Sequence, residues 1–373
     1  MVTLADIWRQ HGSAYQQQFG SQMLPSHKQA MQAILQCRTA ALGGHVYTCD
    51  TCDHREYRYH SCRNRHCPQC QGDKAQQWLA GQQEMLLPLP YYLLTFTLPA
   101  ALRELARRQQ KLLYNLLFRA SAAATQQLAQ DPRFLGGAVG MMGVLHTWGR
   151  NLSFHPHVHY LMPAGAWAGQ VWRYSRHQRF LLPVKALSIL FRAKFRDALQ
   201  KHDCFQQVPA SVWSHDWVVH CQPVGRGLRA LRYLAPYIFR VAISNQRLVA
   251  VTDETVTFRY RPSGSYEWQL CTLSAFEFIR RFLQHVLPKG FVKVRYFGFF
   301  SPSQRHCLHQ IRAWFTPPRP SSSPDKQDEP RPSTRPEPFP CCPHCGQPLR
   351  LTKTLMPDKR RLESLAERRW QPP

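Results

Sequence analysis

Three histidines at alternate positions, His155-Pro156-His157-Val158-His159, constrain this chain more than any other stretch. In an extended strand, successive side chains point to opposite faces, so the three imidazoles must share one face. A second β-rich run, Gly143-Val-Leu-His146-Thr-Trp148, lies just upstream, with Gly149-Arg150-Asn151 as turn material between the two. If the runs pair as an antiparallel hairpin, residues 146 and 157 fall roughly opposite each other. His146, His157 and His159 can then converge on one metal ion from neighbouring strands. In a chain with 18 histidines an isolated His-x-His is also met as an ordinary surface feature, so the strand alone leaves both readings open.

The chain has 373 residues, room for two or three domains with their own cores. Its 48 Lys and Arg against 22 Asp and Glu leave a net charge of +26, which favours a polyanionic partner. Thirteen cysteines, an odd number with six crowded between Cys37 and Cys70, do not read as a disulfide framework. A reducing cytoplasm suits them better. No basic stretch followed by an apolar one opens the sequence, so no secretory signal is expected. Met85 to Leu102 runs 18 residues without a charge, long enough for a membrane span. Its three prolines and the alternation in Tyr92-Leu-Leu-Thr-Phe-Thr97 favour a buried strand instead, and no membrane partner is expected.

Residues 1–36 read as helical, with Pro25-Ser26 at a helix start. Next come Cys49-Asp-Thr-Cys52 and Cys67-Pro-Gln-Cys70, two C-x2-C knuckles separated by 14 residues. That spacing predicts a tetrahedral zinc site on Cys49, Cys52, Cys67 and Cys70, each knuckle offering two sulfurs from one tight turn. Cys37, Cys62 and His66 are left over, either as a second metal site or as packing. Arg63, Arg65 and Lys74 around the knuckles are candidates for phosphate contact or simply solvated charges.

From about residue 85, strands alternate with amphipathic helices: strand Tyr91 to Leu98, helix Ala100 to Ala129, the histidine hairpin, helix Val184 to His202, and a strand-like Val212 to Val219. Hairpins with helices between them predict an α+β fold with an antiparallel sheet flanked by helices, preceded by a helical, zinc-binding module. No Gly-rich nucleotide loop follows any strand, so neither ATP-driven nor nicotinamide chemistry has support. In Gly225 to Asn245, read as a helix, Arg226, Arg229, Tyr233, Tyr237 and Arg240 fall within about 40° of one line, with aliphatic residues opposite. Pro236 implies a kink. The tyrosines are either nucleophiles beside arginines or aromatic packing with exposed hydroxyls.

Further on, Arg247 to Thr252 and Thr255 to Tyr260 make a hairpin-like pair, followed by a helix Ser274 to Val286. In Leu287 to Gly298 basic and aromatic residues interleave, placing Lys293 and Arg295 as candidates for DNA contact on a strand of otherwise ordinary amphipathic character. Residues 317–340 read as a disordered linker rich in proline, serine and charge. Residues 341–373 read as a short basic tail whose Cys341-Cys342-Pro-His-Cys345-Gly holds one knuckle, either half of a metal site completed elsewhere or a zinc-ribbon remnant. The domains expected are therefore 1–84, 85–316, the linker and the tail.

Taken together, the motifs resemble the rolling-circle, two-tyrosine HUH transposases of bacterial insertion sequences. The resemblance rests on Tyr59-His-Ser-Cys-Arg-Asn-Arg-His-Cys-Pro-Gln-Cys-Gln71, His155-Pro-His-Val-His159, Tyr233-x3-Tyr237 with Arg240-Val-Ala-Ile-Ser-Asn245, and Arg280-Arg-Phe-Leu-Gln-His-Val-Leu-Pro-Lys-Gly-Phe291. It implies a bacterial, nucleoid-associated enzyme that binds hairpin-bearing single-stranded element ends and target DNA, as a monomer or a homodimer. It further implies structural Zn2+, and Mg2+ or Mn2+ on His157, His159 and a third ligand, His146 by the hairpin argument or else His155. Tyr233 or Tyr237 would attack a phosphodiester to give a 5′-phosphotyrosine, with Arg229 and Arg240 offsetting charge. A plasmid relaxase or replication initiator would share these parts. A non-catalytic zinc-dependent DNA-binding protein would explain the charge and the cysteines but not the aligned histidines and tyrosines.

Overall fold

The computed structural model of the chain describes residues 1–71, 82, 85–175, 180–227, 229, 231–232, 242–262, 264–316 and 340–358. They form two compact units, one from Leu4 to Cys70 together with 340–358, the other containing most of the remainder. In the first unit, α1 (Leu4–Phe19) buries Leu4, Ile7, Trp8, His11 and Tyr15, the three-to-four spacing of one helix face. It packs on α2 (Pro25–Gln36), where Pro25 stands at the helix start and Ala30, Met31 and Ile34 are buried. Two antiparallel strands follow, β1 (Gly44–Cys49) and β2 (Arg55–Tyr59). A strand from the far end of the chain, Leu349–Leu355, pairs antiparallel with the other edge of β1 and sets Leu349 opposite Cys49. The segment read as a separate tail is thus an integral strand of the N-terminal module.

The second unit contains β3 (Pro90–Thr97), α3 (Arg103–Arg108), α4 (Gln110–Gln130), β4 (Met141–Trp148), β5 (Phe154–Pro163), β6 (Gly165–Ala168), β7 (Val171–Tyr174), α5 (Val184–Leu199), β8 (Val219–Arg226), β9 (Leu248–Val251), β10 (Thr255–Tyr260), β11 (Gln269–Ser274), α6 (Ala275–Leu283), β12 (Val294–Phe297) and α7 (Arg305–Phe315). Its central sheet runs β12-β4-β5-β3-β8, every neighbour antiparallel. The uncharged stretch from Met85 supplies β3, a strand paired on both sides. Among the described residues no helix is long and apolar enough to cross a membrane.

The period of two divides the sheet into two faces. One carries Tyr92, Leu94, Phe96, Met141, Leu145, Val158, Tyr160 and Met162 against the apolar sides of α4 and α5. Burying each of these large side chains contributes about 1.5 to 3 kcal/mol. Gly143 lies on this face because a Cβ there would come within 2.6 Å of the Tyr160 ring. The other face carries Tyr91, Leu93, Met142, Val144 and Leu161, packed with Phe299, Phe300, Leu308 and Ile311. At its open end this second face continues into the histidines. A separate sheet, β11-β10-β9, has α6 packed on it. Ser274 caps α6 by accepting the Glu277 backbone N–H at 3.3 Å.

Two local expectations are corrected. Val212 to Val219 is not one strand, since Ala210–Trp213 forms a single 3-10 turn and β8 begins only at Val219. The Ser188 hydroxyl donates to the Trp217 carbonyl at 2.6 Å and accepts its N–H at 2.9 Å, taking both groups that a ladder would use. The Trp217 ring is buried against Phe191 and Phe195. Gly225 and Arg226, expected in a helix, end β8, and the helical residues described begin at Gly227. The linker lies, but for Pro340, outside the described residues.

Candidate metal centres and the basic cleft

Strands β4 and β5 pair with His146 opposite His157, the register that the hairpin reading expects. One ring nitrogen each of His146, His157 and His159 lies within 4.8 Å of the others. The ladder is irregular between His146 and Trp148, so Thr147 turns its hydroxyl into the protein while the Trp148 ring stacks on His146 at 4.7 Å. Nδ1 of His157 donates to the His155 carbonyl at 2.7 Å, which leaves the lone pair on Nε2. Thr95 of β3 stands opposite His159 of β5, and its hydroxyl meets His159 Nδ1 at 2.8 Å. Burial pushes the His157 pKa down to about 4 and that of His159 well below its ordinary value, so both rings are neutral, the form that binds metal.

His155 shares the strand face but not the cluster. Arg103 donates to its Nδ1 at 2.9 Å, occupying a lone pair, and in the neutral ring the proton must then sit on Nε2. Burial, and then the Arg103 charge, lower its pKa. Among the four histidines proposed from sequence, the geometry therefore gathers His146, His157 and His159 and sets His155 aside.

The cluster lies in a cleft of about 890 Å³, also lined by Arg150, Arg247, Tyr260, Arg261 and Trp268. Arg150 donates to the carbonyls of Arg261 and Pro262, and Arg247 to those of Arg150 and Arg259, tying the tip of the histidine hairpin to β10. Trp268 is about half exposed, with the guanidinium carbons of Arg259 and Arg261 at 5.1 and 5.0 Å from its ring centre. Sequence reading passed over these residues. The interleaving of Phe258-Arg259-Tyr260-Arg261 is the same signal that drew attention to Leu287 to Gly298.

The cysteines form two clusters, which corrects the single site on Cys49, Cys52, Cys67 and Cys70. Cys67 and Cys70 meet Cys37 and Cys62, whereas Cys49 and Cys52 meet Cys342 and Cys345, each set with its sulfurs within 4.8 Å. Recorded sulfur separations are 3.4 Å (Cys49–Cys345), 3.6 Å (Cys52–Cys342), 3.7 Å (Cys52–Cys345) and 3.8 Å (Cys62–Cys70). A tetrahedron of Zn–S bonds has edges of about 3.8 Å, so both sets fit zinc. His66 is in neither cluster.

Tyr233, Tyr237, Arg240 and Lys74 lie outside the described residues. Arg229 is exposed in the helical stretch after β8, and Leu231, two residues before Tyr233, is buried on the histidine-bearing side of the sheet. Arg63 is exposed and Arg65 half-buried beside the first cysteine cluster. The Lys293 ammonium lies 5.1 Å from the Trp148 ring centre. Arg295 is held inward, donating to Asn115 at 2.5 Å and lying over the Phe118 ring at 4.4 Å.

A three-histidine cluster lining an arginine-rich cleft on an antiparallel sheet, in a chain that also carries two four-cysteine clusters, fits an enzyme of the HUH class. Residues 7–98 match the transposase zinc-binding domain family, and residues 140–307 match a family described as "Putative transposase". Over 324 residues the chain is 42% identical to the "Putative transposase y4qJ" of Sinorhizobium fredii, spanning 81% of each chain. Over 286 residues it is 32% identical to the transposase for insertion sequence element IS801 of Pseudomonas savastanoi pv. phaseolicola, spanning 72% of this chain and 68% of that one. No solved structure matches. The chain belongs to this family of bacterial transposases.

Proposed function

We propose that the protein cuts and rejoins single-stranded DNA at the ends of its element through 5′-phosphotyrosine intermediates, with Mg2+ or Mn2+ on His146, His157 and His159. The observation that carries this reading is the convergence of ring nitrogens from His146, His157 and His159 in an arginine-lined cleft. Nitrogen donors make such a site softer than a carboxylate one, which favours Mn2+. A bound ion would polarise the scissile phosphate and hold it in place. The phenolic oxygen of Tyr233 or Tyr237 forms a bond to phosphorus as the P–O3′ bond breaks, giving a free 3′-hydroxyl. A 3′-hydroxyl of the recipient strand later attacks the same phosphorus and regenerates the phenol, so the phosphodiester is conserved without ATP. Arg229 and Arg240 offset the charge that develops.

The single strand lies along the cleft, its phosphates near Arg150, Arg247 and Arg261 and a base on the exposed ring of Trp268. Arg63, Arg65 and Lys293 add phosphate contacts, while the inward packing of Arg295 supports a structural role for that residue. Incubation with single-stranded element-end DNA and Mn2+ should give an adduct that survives denaturing gels. Tyr233→Phe and Tyr237→Phe should each stop transposition in cells, at least one of them should still form the adduct, and the double variant should form none. An adduct of undiminished yield from the double variant would overturn the tyrosine mechanism.

A further inference from the structure

The second cysteine cluster joins two parts of the chain nearly 300 residues apart, and its two halves are built alike. At one half the Cys49 N–H donates to the His54 carbonyl at 2.9 Å, and the Asp53 N–H to the Cys49 carbonyl at 3.0 Å. At the other, the Cys342 N–H donates to the Gln347 carbonyl at 2.7 Å, and the Gly346 N–H to the Cys342 carbonyl at 2.9 Å. Both turns thus close over the same two spans, and the residue after the second cysteine has positive φ in each, 53° at Asp53 and 74° at Gly346.

We propose that Cys49, Cys52, Cys342 and Cys345 form a complete zinc ribbon, a second structural zinc site distinct from Cys37, Cys62, Cys67 and Cys70, and that this zinc locks the C-terminal segment onto the N-terminal module. The strand pairing carries the same message beyond the sulfurs. Leu349–Leu355 runs along β1, the Thr48 and Thr352 hydroxyls meet at 2.9 Å, and the His54 and His344 rings stack at 4.3 Å across the two turns. Arg350 grips Asp50 through both carboxylate oxygens. One short strand on an exposed edge buries little apolar surface, with Leu349 its one fully buried side chain and Cys342 buried in the turn before it, so without metal the contact is marginal. The metal supplies what the small interface lacks, since coordination free energy in such sites becomes folding free energy. Because the linker leads into this strand, both chain connections of the catalytic unit end in the same module.

Metal analysis of the purified full-length protein should find two zinc ions per chain, and one in the Cys342→Ser/Cys345→Ser double variant. Cys341→Ser is the control, because that exposed thiol lies outside the cluster, and it should keep two. A protease site placed within 317–339 gives a test that leaves all cysteines in place. After cleavage the C-terminal fragment should stay bound through size-exclusion chromatography and leave when a strong chelator is added. One zinc in the native chain, two in the double variant, or a fragment that departs without chelation would each overturn the proposal.

Discussion

His146 and His155 show how a single hydrogen bond decides which of two neighbouring imidazoles suits a metal. His155 shares its strand face with His157 and His159, but Arg103 occupies one nitrogen and fixes the proton on the other. His146 arrives from the adjacent strand with its ring 4.9 Å from that of His159, close enough for both to reach one ion. His146→Ala should therefore weaken Mn2+ binding, measured by calorimetry or electron paramagnetic resonance, by more than about 100-fold, beyond the usual 10- to 100-fold effect of residues that only orient a ligand. His155→Ala should change it by only a few-fold. The reverse ranking would make His155 the third ligand. From sequence the period of two could place three histidines on one face, but it could not reveal Arg103, which approaches from a helix start more than 50 residues upstream.

At the level of elements, the hairpin register, the strand nature of β3, helix α6 and the helical N-terminus with its helix start at Pro25 were legible because each is written in local periodicity or turn chemistry. The pairing of cysteine knuckles was not, since every C-x2-C turn looks alike and only the β1 ladder with Leu349–Leu355 selects the partner. The same limit hid the role of His285. This ring follows α6 and is buried behind the hairpin, pairing with the Thr147 hydroxyl at 3.2 Å and donating from Nε2 to the Leu152 carbonyl at 3.2 Å, where Leu152 has a φ of 63°. Burial holds its pKa down to about 4. In the unfolded chain an ordinary histidine takes up its proton near pH 6.5. The native state therefore binds fewer protons in between, and stability present above pH 6.5 is lost as pH falls through 4. The gap amounts to about 3 kcal/mol at full protonation. Urea unfolding of native protein and His285→Gln should show the native midpoint falling more steeply between pH 7 and pH 4.5. Parallel curves would mean that His285 carries no pH-linked stability.

Across the whole molecule, the proposed function assigns the +26 charge and the cleft separate contributions to DNA binding that salt can resolve. Each phosphate neutralised on a single strand contributes a slope of about −0.7 in log K against log [salt], so four or five contacts give roughly −3. A stacked base releases no counterions and should leave that slope alone. Trp268 is exposed beside the histidine centre, and truncating an aromatic that stacks a base costs about 1 to 3 kcal/mol, roughly 5- to 150-fold in affinity. Trp268→Ala should lower affinity for single-stranded DNA by a factor in that range at every salt concentration, with an unchanged slope. Arg261→Gln should make the slope shallower by about 0.7 while costing less at high salt. Fluorescence anisotropy with a labelled oligonucleotide, titrated from low to high salt, reads both quantities at once. Should Trp268→Ala alter the slope, or leave affinity untouched, the base does not stack there. A flat salt dependence of the native protein would remove phosphate contact as the source of binding altogether.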